Sequence, residues 1–182
     1  MTTRDFFKSR LQRYFFYLGG DQPSVSWKER LRSVFGAFLG LLLVFAAAQQ
    51  LGELSGIDEW LMASLGASAL LVFALPQSPM AQPWAVIAGN TLSALIGISC
   101  AIAIKAPLLA LPLAASLSIL GMFLLRCLHP PAAAVALIAV LGGITHYRYA
   151  FFPVMVDSVL LILAGALYSN LTGKHYPNRP GN

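Results

Sequence analysis

The sequence predicts an all-α membrane protein, a compact bundle of about six transmembrane helices or of five with one re-entrant segment. Composition is the first observation. Of 182 residues, 58% are hydrophobic and 10% charged, and the mean hydropathy is +0.72. A soluble domain is about half apolar and about a quarter charged. The second observation is that the apolar residues fall into runs at 33–51, 60–75, 82–104, 107–128, 131–145 and 150–171. The third is that prolines break the chain between runs, as in "LPQSPMAQPW" and "RCLHPPAAAV".

Residues 1–32 read as a basic, amphipathic, cytoplasmic lead-in. Seven of the twelve Lys and Arg lie here, at Arg4, Lys8, Arg10, Arg13, Lys28, Arg30 and Arg32. Phe7, Leu11, Tyr14, Phe15 and Leu18 recur at helical spacing, the pattern of a helix lying on an anionic leaflet. The net charge of +5 therefore belongs to a membrane-flanking segment and not to a nucleic-acid partner. Ser26 and Glu29 stand at capping-box spacing, so the first spanning helix is predicted to start before its apolar part. Ala46-Ala47-Ala48 resembles a signal cleavage site, but the lead-in is too long and aromatic for a cleavable leader.

Residues 33–172 form the bundle and 173–182 a short polar tail. A span needs about 20 residues. The run at 60–75 needs flanking help, and the fifteen residues of 131–145 reach roughly 22 Å, enough for a short span or a re-entrant half-helix. With six spans the amino terminus, Arg126, Lys174 and Arg179 are inside, ten positive residues against Lys105 and Arg148 outside. A re-entrant fifth segment gives nine against three. Both put the amino terminus in the cytoplasm, with a bacterial inner membrane as the expected location. Glu53, Asp58 and Glu59 then share the first external loop, and Trp60, Tyr147, Arg148 and Tyr149 suit interfacial anchors.

Pro130 and Pro131 force a break at Leu128 and His129, and a new helix can start at Pro131. Pro76, Pro79 and Pro83 repeat the device upstream. A shift of 51 positions pairs Pro79 with Pro130, Ala81 with Ala132, Ala85 with Ala136, Ile87 with Ile138 and Ala88 with Ala139, a weak internal repeat of proline-broken helix pairs. The amides at such helix starts lack intrahelical partners and are candidate donors to an anion.

These residues resemble a known family. "LHPPAAAVALIAVLGG" and "GASALLVFALPQSPMAQPWAVIAGNTLSALIG" are similar to the HPP family of integral membrane proteins over roughly 33–172. The resemblance implies a small multi-pass bundle, with plastid and cyanobacterial relatives associated with nitrite transport. Some relatives carry a CBS domain after the bundle, and this chain is expected to lack one. It also has Trp84 where a basic residue often follows Gln-Pro, and Ala133 and Val135 where Gly and Thr are common after His-Pro-Pro.

From the residues themselves, Arg126 is either a headgroup anchor or a fork of donors for a planar oxyanion. His129 could donate to that anion, carry a coupled proton or cap a turn. Ser78, Gln82 and Asn90 could face a polar path with Pro130 and Pro131, or bond between helices. Asp157, the lone acid within the spans, is the candidate for coupling or gating, and meets Arg126 only if the fifth segment re-enters. Ala81, Ala85, Gly89, Ser93, Gly97 and Ala101 make a small-residue packing stripe, as do Gly36 and Gly40. Cys100 and Cys127 read as buried packing residues.

No nucleophile elbow, metal-spaced histidine pair, P-loop or Rossmann pattern is present, so no enzyme activity, metal or cofactor is expected. The functional expectation is a transporter or channel for a small inorganic anion such as nitrite, or alternatively a membrane-embedded sensor or interaction module. The expected partners are the lipid bilayer, the anion and further copies of the chain.

Overall fold

A computed structural model describes residues 25–50 and 58–178, with side chains left aside over 58–63. The lead-in helix, Glu53 and Arg179 lie outside what it describes, as does the side chain of Trp60. The described chain folds as six helices without a strand. They are α1 (Trp27–Gln50), α2 (Asp58–Ala69), α3 (Pro83–Ala103), α4 (Pro107–Leu124), α5 (Ala132–Leu141) and α6 (Val156–Leu171). π-wound turns follow α2 at Leu70–Ala74 and precede α6 at Ala150–Met155, and a short 3-10 turn covers Pro79–Ala81.

Among the described residues, four helical segments are long and apolar enough to cross a membrane: Trp27–Gln50, Pro83–Ala103, Pro107–Leu124 and Ala150–Leu171. Ser64–Ala74 and Ala132–Leu141 are apolar but shorter. Ser26 starts α1 as its capping spacing predicts, its Oγ accepting from the Glu29 amide at 3.3 Å. The Glu29 carboxylate does not close the box. It accepts from Arg32 Nη2 at 2.7 Å and lies 3.4 Å from Lys174 Nζ. Those pairs hold the start of α1 beside the end of α6, defining one end of the bundle, called proximal here.

At the distal end Ser99 Oγ lies 3.1 Å from the Tyr147 hydroxyl, joining the last turns of α3 to the α5–α6 connection. α5 thus runs from the proximal end toward the distal end of the bundle. Its ten residues rise only about 15 Å, and it is shorter than the four candidate spans.

Half of the α3 window is buried, against 22% of α4. The small-residue stripe makes α3 central. A Cβ on Gly97 would lie 2.5 Å from the Ala136 carbonyl oxygen, and one on Gly89 would lie 2.9 Å from the Cys127 carbonyl oxygen and 3.0 Å from His129 Cβ. Real Cβ atoms do not come that close, so glycine is what lets α5 and its preceding junction press against α3. On α1, Gly36 and Gly40 admit the Phe73 and Tyr168 rings, which meet edge-to-face at 5.9 Å. Cys100 and Cys127 are buried free thiols. Tyr149, expected at an interface, is instead 4% exposed within the main core.

Candidate functional site

Both proline-broken segments lie proximally and touch. The His129 ring is fully buried, with Nδ1 2.8 Å from the Met80 carbonyl oxygen and Nε2 2.8 Å from Ser68 Oγ. A carbonyl only accepts, so Nδ1 carries the proton and the Nε2 lone pair accepts from Ser68. His129 therefore ties the two proline-broken segments together.

The upstream segment is bonded along its length. Ser78 Oγ accepts from the Met80 amide at 3.2 Å. Gln82 Nε2 donates to the carbonyls of Pro76 at 2.9 Å and Ser78 at 3.0 Å. The polar tail folds back on the same loop. The Tyr176 hydroxyl donates to the Ala81 carbonyl at 2.6 Å, and Asn178 donates from its amide to Gln82 Oε1 at 2.9 Å and from Nδ2 to the Pro76 carbonyl at 2.7 Å. Burial pushes the Tyr176 phenol well up, so it remains a donor.

The first amides of α5, expected to be open donors, are occupied. Ala132, Ala133 and Ala134 donate to the carbonyls of His129, Pro130 and Pro131 at 2.9, 3.3 and 3.1 Å. The reason is local: the prolines fix helix-like φ, so the turn before α5 continues into it and supplies the missing acceptors. Pro131 is buried and Pro130 exposed.

Arg126 is exposed and has φ of 52°. The Cys127 amide donates to the Met122 carbonyl at 2.9 Å and the Arg126 amide to the Phe123 carbonyl at 3.2 Å, a Schellman closure of α4. α5 and α6 close the same way with glycine at the equivalent place, Gly143 at 59° and Gly173 at 77°.

A second polar group lies at mid-depth, about two turns into α3. Asn90 Nδ2 donates to Ser158 Oγ at 3.0 Å, and Ser158 donates to the Val154 carbonyl at 2.8 Å. Asp157, beside Ser158, is 3% exposed. Just before it the helix breaks, with Phe152 at φ −142° and ψ 110° ahead of Pro153. Asn90 Oδ1 and Ser93 Oγ are buried without a hydrogen-bond partner among the described residues. Arg126 and Asp157 are not brought together, since one closes α4 proximally and the other begins α6 near the bundle's middle.

The sequence singled out His129, Ser78, Gln82, Asn90 and Asp157, gave Ser93 only a packing role, and missed Ser68, Ser158, Tyr176 and Asn178. The only hint of the last two was an aromatic-proline pair within a polar tail, "HYPN". No group of metal-ligating side chains occurs among the described residues.

Comparison with known proteins gives concordant matches. The family described as HPP, transmembrane region, matches residues 22–177. A transmembrane protein of Dictyostelium discoideum is 32% identical over 165 residues, 86% of this chain and 51% of the relative. A second from the same organism is 34% identical over 149 residues, 78% of this chain and 52% of the relative. The chain thus spans about half the length of the curated relatives it matches. No solved structure gives a significant match.

Proposed function

This chain belongs to the HPP transmembrane family, and from that premise we propose that it carries a small inorganic anion, nitrite first among them, across the membrane. The solute crosses at the mid-depth layer of Asn90, Ser93, Asp157 and Ser158. Lys28, Arg30, Arg32, Arg126 and Lys174 mark the proximal end and Lys105 and Arg148 the distal, so the positive-inside bias makes the proximal end cytoplasmic, in a bacterial inner membrane. Arg126, exposed at that end, attracts the anion to the mouth.

The observation that carries this reading is the buried Ser93 hydroxyl, unmet among the described residues and able to donate to an anion, on the helix facing the break that precedes Asp157; Asn90 Oδ1, which only accepts, takes water or a protonated group. Buried polar atoms are almost always bonded, so a group that they lack is expected from solute or water. A carboxylate repels an anion at low dielectric, and protonation of Asp157 removes the repulsion. Anion and proton then cross together, with Asp157 as the coupling group.

Nitrite influx into proteoliposomes under an inward proton gradient tests this. The parent protein accumulates nitrite, and Asp157→Asn, which keeps the shape and loses the titration, falls by about a hundredfold. Absence of flux of nitrite, nitrate, formate, chloride and protons overturns the reading. The second reading, a membrane-embedded sensor or interaction module, is favoured by the closed proximal end, where His129, Gln82 and Tyr176 are all engaged. In that case removal of residues 1–25 abolishes a cellular phenotype while no solute moves.

A further inference from the structure

Between α1 and α2, near the proximal end, runs an apolar groove of about 220 Å³ lined by Ser33, Val34, Ala37, Gly66, Leu70 and Phe73. Gly66 stands out along it. A glycine inside a helix is less favourable than alanine, because it loses more backbone freedom on folding. The other close-packed glycines face side chains or backbone that a Cβ would strike, but a Cβ on Gly66 meets nothing within 4 Å. The protein itself makes no packing use of this absent side chain, and the absence keeps the groove open.

At the mouth sits a cation. Arg30, Ser33, Val34 and Ala37 follow one another at helical spacing, so Arg30 lies on the groove-lining stripe of α1, one turn nearer the proximal end. Its Nε donates to the Val25 carbonyl at 3.1 Å, and its terminal nitrogens have no partner among the described residues. The neighbouring acid is already taken, because Glu29 is held by Arg32 at 2.7 Å and Lys174 at 3.4 Å. An unneutralised guanidinium above an apolar slot complements a molecule with one anionic head and one hydrocarbon tail. A guanidinium fork matches phosphate oxygens, and basic pockets between transmembrane helices take anionic headgroups.

We propose that this groove binds one anionic phospholipid, its phosphate on Arg30 and an acyl chain between α1 and α2 beside Gly66. The bound lipid fixes the spacing of the two helices where the protein's own side chains do not.

The test is native mass spectrometry of the full chain released from detergent with phosphatidylglycerol and phosphatidylcholine in competition, together with melting curves in each lipid. One phosphatidylglycerol is expected to be retained about fivefold more strongly than phosphatidylcholine, the advantage one basic residue gives near an anionic headgroup. Arg30→Gln removes the preference, Gly66→Leu fills the slot and removes the adduct, and inorganic phosphate alone produces no shift in melting. If Gly66→Leu does not fold, Ala37→Leu closes the groove from the α1 side and makes the same test. Equal retention of the two lipids, a preference surviving Arg30→Gln, an adduct surviving the filled groove, or stabilisation by phosphate alone each overturns the proposal.

Discussion

At the proximal junction the carbonyls of Pro76, Ser78, Met80 and Ala81 each accept a side-chain hydrogen bond; at mid-depth, Asn90 Oδ1 and Ser93 Oγ accept from nothing among the described residues. Both regions are polar and buried, and both sit where proline interrupts a helix. Their difference lies in how the interrupted backbone is engaged, although Ser64 Oγ, one turn before Ser68, and Ser169 Oγ, in the last turn of α6, are also unmet among the described residues. The His-Pro-Pro junction bonds to the upstream proline loop through His129 and Met80, which makes it a clasp between the two proline-broken segments. The layer beside Asp157 leaves the Ser93 hydroxyl to donate to a solute, and Asn90 Oδ1 to accept from water or a protonated group.

The clasp is broken most severely at His129. His129→Ala strands the Met80 carbonyl and leaves a cavity in a fully buried place, a loss of about 3 kcal/mol, read as a lower melting temperature in detergent. His129→Asn, whose amide can still donate toward Met80, recovers part of it. An alanine variant that melts with the parent would mean that the bond to Met80 does not hold the junction together.

Tyr176→Phe is the next largest, about 2 kcal/mol, because the Ala81 carbonyl loses its hydroxyl partner. It sharpens the comparison by asking whether the tail belongs to the clasp. Melting should fall while nitrite flux per folded molecule stays constant. At mid-depth the pattern reverses. Asn90→Ala removes an amide whose oxygen is unmet in any case, and Ser158 keeps its bond to Val154. Influx should fall about tenfold, or about 1.4 kcal/mol of barrier, with little change in melting. Loss of stability without loss of flux would make Asn90 a packing residue and erase the contrast.

The helices were legible because their causes are local. Apolar runs of span length, the Ser26 cap and the four-residue stripe on α3 each act within a few turns, and each reappears in the structure. The site was legible only in its members. His129 and Asn90 were conspicuous as polar residues in an apolar chain, yet whether each was satisfied depended on Ser68 and Ser158, 61 and 68 positions away. Local patterns carry no trace of such pairings. The α5 amides went astray for the opposite reason. Proline was read as a breaker, whereas a Pro-Pro pair with helix-like φ prolonged the turn and filled the donors.

Arg126 belongs to neither region, and the smallest predicted effect decides which it joins. α4, α5 and α6 all close with the same pair of backbone bonds, and at the residue with positive φ two of them have glycine. A side chain in the left-handed region costs about 1 kcal/mol that glycine avoids, and local geometry gives no reason for the third to differ. Arg126→Gly should therefore raise stability by about 1 kcal/mol, measured by melting in detergent. If the exposed guanidinium gathers anions at the mouth, the more stable variant should also take up nitrite more slowly, and added salt should narrow the gap by screening the parent's advantage. A variant that is both more stable and equally fast would assign Arg126 to the lipid headgroups, and the anion would reach Asn90 without its help.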